Sequence, residues 1–139
     1  MPILFSTILF AAFALPQPRA DVCFRADRDT VALTGRLVRR VYPGKPNFQS
    51  IKDGDEVEDG YYLELQRPIC TEGPERQDNV SGVRTVQLVI GQRGYDALRP
   101  SLGKRATVQG TLFGSYTMHH HTHILLYVDE ARLSASPRR

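Results

Sequence analysis

Four histidines stand within five positions of one short stretch, Tyr116-Thr-Met-His119-His120-His121-Thr-His123. Neutral imidazole is the commonest metal-binding side chain, so this density raises the question of a metal site. On a strand, residues i and i+2 face the same way. His119 with His121, or His121 with His123, then share a face, whereas all three in line span about 13 Å, too far for one ion. A third ligand has to come from elsewhere. The acidic run Asp53, Asp55, Glu56, Glu58 and Asp59 could supply a carboxylate. Two other readings compete with the metal: histidines at a strand end hydrogen-bond neighbouring loops, or they contact a ligand directly. His119, His120, His121, His123, Tyr116, Asp53 and Asp55 are accordingly the candidate ligand-binding residues. His119, His121 and His123 are the candidate metal ligands, and no cofactor is implied.

Other chemistry is thin. There is no G-x-S-x-G elbow, no phosphate-binding P-loop and no G-x-G-x-x-G, so no enzyme is expected. Arg36, Arg40, Arg84 and Arg105 fall on polar strand faces and could form a patch, although solvated strand exteriors are the stronger account of them. Tyr61, Tyr62 and Tyr116 could stack on a sugar or base, with Tyr61 reading as core. Five carboxylates close to the candidate site would repel phosphates, which weighs against nucleic acid as partner. The net charge of +3 is too small to imply a polyanion.

The elements that must position these residues are strands, because period-2 alternation recurs and helical periodicity is nearly absent. The first predicted strand, Thr30–Tyr42, puts Val31, Leu33, Leu37 and Val41 on one face, with Gly35 marking a bend or bulge. A polar connection, Pro43–Gly60, follows. The second strand, Tyr61–Ile69, sets Tyr61, Leu63 and Leu65 against Tyr62, Glu64 and Gln66, with Pro68 at its end or at an edge. Thr71–Ser81 reads as a polar loop. The third strand, Val83–Ile90, faces inward with Val86, Leu88 and Ile90. Gly91–Gly103 holds one short helix around Tyr95–Leu98, limited by Pro100. The fourth strand is Lys104–Phe113, with Ala106, Val108, Gly110 and Leu112 inward. A turn then leads to the fifth, His121–Val128.

Three strands, a helix and two strands is the order of an OB-like, five-stranded Greek-key barrel; a small β-sandwich is the alternative. In an OB-fold, ligands favour the loops joining strands one–two and four–five. Here those are Pro43–Gly60 and Gly114–His120, so the topology predicts that Asp55 and His120 lie at the same end.

The 139 residues leave room for one domain. Met1–Leu15 carries no charge, and its apolar run fits the core of a secretory leader, shorter than a membrane helix. Cleavage could follow Ala14 or Ala20. We take residues 1–20 as a signal peptide, 21–133 as the domain and 134–139 as a frayed tail, which places the mature chain in the periplasm or outside the cell. In an oxidising compartment the only two cysteines, Cys23 and Cys70, are expected to pair.

The segments Arg67-Pro-Ile-Cys70, Gly103-Lys-Arg-Ala-Thr-Val-Gln-Gly-Thr-Leu-Phe113 and Thr117-Met-His-His-His-Thr122 resemble a family of bacterial exported domains of unknown function. That family is marked by a G-T-L-F strand followed by T-G-H-H-H-T. The likeness covers roughly residues 31–128; Met118 stands where the family has glycine. The resemblance implies an exported OB-like domain without an assigned activity, and points toward cell-wall biology or inhibition. Three functions are therefore open. The first is a non-enzymatic periplasmic module that binds an envelope protein or ligand. The others are an inhibitor or immunity protein against an envelope enzyme such as a cell-wall hydrolase, and a metal site on the histidines.

Overall fold

Alternation beginning at Thr30 carries a strand of fourteen residues, and the rest of the sheet is arranged around it. The computed structural model describes residues 22–133; the expected leader (1–20) and tail (134–139) lie outside them. The elements are β1 (Val22–Arg25), β2 (Thr30–Pro43), β3 (Val57–Glu72), β4 (Val80–Val89), α1 (Gln92–Leu98), β5 (Arg105–Gly114), β6 (Ile124–Val128) and a single turn, α2 (Glu130–Leu133). The strands form one mixed sheet in the order β1-β3-β2-β5-β6-β4, and β4 also pairs with β3, so β2 to β6 make a near-closed ring. β4 runs parallel to β6, while β2–β3, β2–β5, β3–β4 and β5–β6 are antiparallel.

Inward residues of every ring strand meet in one core: Leu33 and Leu37 of β2, Leu63 of β3, Val86 of β4, Leu112 of β5 and Leu126 of β6 are all buried. Each contributes about 1.5–3 kcal/mol relative to an exposed side chain. Two glycines set how closely the strands approach. A Cβ on Gly110 would stand 2.1 Å from the Tyr127 carbonyl oxygen, and one on Gly35 2.3 Å from that of Glu64. The helix follows the expected lines: Leu98 enters the core, and Pro100, which needs no N–H partner, sits in the 3₁₀ turn Arg99–Ser101 that ends it.

Five expectations are corrected. The sheet has six strands, because β1 adds alongside β3 in parallel with Cys23 opposite Cys70, and the two cysteines form the expected disulfide. Four residues are too few to show alternation. Val41 is 51% exposed rather than core, since β5 accompanies β2 only as far as Arg36 and beyond Leu37 only β3 remains alongside. Tyr62 is buried on the outward face, beneath Tyr42 (ring centroids 5.7 Å apart) and the Arg40 guanidinium (5.6 Å from its ring). Pro68 does not end its strand: it falls where the β3–β4 register breaks, between Glu64 and Ile69, a place where no ladder N–H is required. Finally, β6 starts at Ile124, so the histidines lie on a loop and the i, i+2 argument does not apply to them.

Candidate functional site

Beyond the ring, β2 and β3 continue as a two-stranded arm, paired from Arg39↔Tyr61 to Pro43↔Val57, after β4 leaves β3 at Tyr62. The loop at its tip, 44–56, is shaped by Asp55. This buried carboxylate accepts hydrogen bonds from the backbone N–H groups of Asn47 (2.9 Å), Gln49 (2.7 Å) and Ser50 (2.8 Å), and from Asn47 Nδ2 (3.2 Å). Donation from the Ser50 and Gln49 backbone holds its carboxyl below the usual carboxylate range. Asp55 thus organises its own loop. Asp53 lies exposed in the 3₁₀ turn beside it, where its N–H bonds the Ser50 side chain at 3.2 Å.

Residues 115–123 close on themselves. Ser115 N–H donates to the His123 carbonyl (3.0 Å), and His120 N–H to that of Thr117 (3.1 Å). His120 Nδ1 accepts the Tyr116 N–H at 3.1 Å, and its ring stands edge-on to Tyr116 and Phe113. Burial, followed by the neighbouring His119 and His121, holds this imidazole below its ordinary pKa. Gln87 of β4 braces the loop from behind. Its Nε2 donates to the His119 carbonyl (3.0 Å), its Oε1 accepts the His121 N–H (2.7 Å), and its own N–H donates to Thr122 Oγ1 (3.1 Å).

The two loops meet at Glu58. Its Oε1 takes His119 Nδ1, and its Oε2 takes His121 Nε2 at 2.9 Å. Tyr42 stacks on His121, with centroids 4.2 Å apart and planes within 4°, and Phe48 meets His119 edge-on at 5.0 Å. The acidic loop and the His loop therefore lie at one end, as the strand order predicted. The His119 side chain is 50% exposed and that of His121 only 12%, so the carboxylate sits between an open ring and a covered one. Among the described residues, no group of three His, Cys, Asp or Glu is arranged to hold a metal ion. His123 has no bond to Glu58; it is exposed and lines a cleft with Arg40, Arg84 and His121.

Of the three tyrosines proposed to stack on a ligand, Tyr61 and Tyr62 are buried and Tyr116 is 71% exposed. Sequence reasoning named Glu58 only within the acidic run and missed Tyr42, Phe48 and Gln87. Parity could have found Glu58: counting back by twos from Tyr62 keeps it on that residue's face, provided the strand starts before Gly60. Among the arginines, Arg36 and Arg105 are cross-strand neighbours, and Arg40 pairs with Glu64 at 2.8 Å.

A family model described as a domain of unknown function (DUF4431) matches residues 85–132, which include Gln87 and the whole His loop but not the arm that carries Glu58. Comparison with curated proteins and with solved structures returns no match. The Cys23–Cys70 disulfide is consistent with an extracytoplasmic location, and among the described residues no helix is long and apolar enough to cross a membrane.

Proposed function

We propose that the chain is a non-enzymatic periplasmic binding module that meets an envelope protein or ligand with the arm and the His loop. One observation carries this reading. Of the six large apolar side chains left exposed among the described residues, Val41, Ile51 and Val57 lie on the arm and its tip loop, and Tyr116 and Met118 on the His loop. Exposed apolar side chains gathered on two touching elements, with Val41 and Val57 on the side of the arm that faces away from Glu58, mark this end of the molecule as an interaction region. The Glu58–histidine contacts hold the arm against the His loop and so lower the cost of ordering the two on binding. An OB-like topology fits the same picture. The ring order β2-β3-β4-β6-β5, the parallel β4–β6 pair and a helix between β4 and β5 support it, and the proposed face then coincides with the loops such folds use.

The inhibitor reading is favoured by the arm itself, a two-stranded projection with apolar Ile51 exposed in its tip loop, suited to entering a cleft. One experiment serves both. The mature chain is immobilised and exposed to envelope extract alongside a Val57→Ser, Met118→Ser variant whose circular dichroism is unchanged. The expected result is a protein retained by the parent chain and lost by the variant; a cell-wall hydrolase inhibited by the parent would select the second reading. Identical retention by both chains, or none by either, would overturn the proposal.

A further inference from the structure

β4 and β6 pair over only three positions, Gln87↔Leu125 to Val89↔Tyr127. On the N-terminal side of Gln87, β4 loses this neighbour, because the chain before Ile124 is loop rather than strand. A cleft of about 320 Å³ opens between them, and its wall includes Arg40, Ser81, Arg84, Thr85, His121 and His123. Among the described residues, no carboxylate lines it.

Two of its basic groups are already set in place. Arg40 is held by Glu64 and lies against the face of Tyr62, and His121 is held by Glu58 and by its stack on Tyr42. The other two are not engaged: among the described residues, the Arg84 guanidinium and the His123 ring have no hydrogen-bond or ion-pair partner. Arg84 is anchored on β4 between buried Val83 and half-buried Thr85, and His123 by the backbone bond that closes its loop. A guanidinium with its donor fork free, an imidazole and two hydroxyls on one concave wall are the donors an oxyanion needs.

We propose that this cleft binds a phosphate group, with Arg84 and His123 as direct donors, Ser81 and Thr85 adding hydroxyl hydrogen bonds, and Arg40 contributing charge. The donors come from β2, β4 and the His loop, so they converge from several directions. That arrangement suits a tetrahedral anion with four oxygens better than a planar carboxylate, which one guanidinium fork can satisfy. Glu58 and Glu64 stand behind His121 and Arg40, so the site accepts one anionic group rather than a run of them. The cleft shares Arg40 and the end of the His loop with the proposed interaction region but none of its exposed apolar side chains, so either proposal can fail without the other.

The test is an amide-shift titration of the full mature chain with inorganic phosphate at constant ionic strength, with acetate as comparison. Saturable shifts are expected at 81–85 and 121–123, with acetate much weaker. Arg84→Gln, on an exposed and unpaired side chain, should weaken phosphate about tenfold or more, while Arg93→Gln on the exposed side of α1 should leave it unchanged. Vesicles of phosphatidylglycerol, against phosphatidylcholine, separate two sources of the group. Sedimentation with the former that is lost in Arg84→Gln assigns a lipid headgroup. No sedimentation while inorganic phosphate binds assigns a small phosphorylated ligand. Absence of saturation, equal response to acetate, or binding unaltered by Arg84→Gln would each overturn the proposal.

Discussion

Removing the Glu58 carboxylate should loosen the joint between the arm and the His loop by an amount the geometry lets us divide. A hydrogen bond to a charged group contributes about 1.5–3 kcal/mol when covered, and an exposed ion pair about 0–1 kcal/mol. The His121 contact, at 2.9 Å on a side chain only 12% exposed, belongs toward the covered end, and the His119 contact, half open to water, toward the exposed end. We assign about 1.5 kcal/mol to the first and about 0.5 kcal/mol to the second. Glu58→Ala should then cost about 2 kcal/mol, or roughly 8 °C in melting temperature for a domain of this size. Double-mutant cycles by urea unfolding, pairing Glu58→Ala with His121→Ala and separately with His119→Ala, isolate the two interactions. The slope of unfolding free energy against urea should stay constant across the set. A Glu58–His121 coupling below about 0.3 kcal/mol, or one smaller than the Glu58–His119 coupling, would mean that burial does not set the strength of these contacts.

Three further outcomes follow from the fold. Replacing both cysteines by alanine releases a loop whose ends are 47 residues apart. On chain entropy this should cost about 4 kcal/mol, lowering the melting temperature by roughly 15 °C, as calorimetry would record. Gly110→Ala has no flexible side chain to push aside, only the Tyr127 backbone, so β5 and β6 must part. A loss of about 2–3 kcal/mol is expected in denaturant melts, with faster amide exchange in β6. His120 should titrate below the usual imidazole value in a proton NMR titration, because burial disfavours its charged form. With the folded value beneath the unfolded one, the unfolded chain binds more protons in the interval between them. Stability should therefore be complete above the ordinary value near 6.5 and fall as pH drops from there to the folded value. His120→Gln should flatten that part of the pH profile.

Alternation, turn residues and the cysteine count made most of the ring legible in advance, because each is a local property of a pleated chain. Val31, Leu33, Leu63, Val86, Leu88, Val108 and Leu112 point inward simply by parity, Gly35 and Gly110 occupy close approaches, Pro100 ends the helix, and Cys23 had only Cys70 to pair with. Tertiary structure decided what parity cannot see, which is what covers each face. Val41 has an inward residue's parity yet faces water, because β5 has already ended; Tyr62 has an outward residue's parity yet is buried, because Tyr42 and Arg40 lie over it. The same limit applies to the site. Asp55 and Glu58 look alike in an acidic run, but Asp55 turns into its own loop's N–H groups while Glu58, on the face shared with Tyr62, reaches the histidines. Which carboxylate meets which ring depends on where two loops more than fifty residues apart are brought together, and only the closure of β3, β4 and β6 into one ring does that.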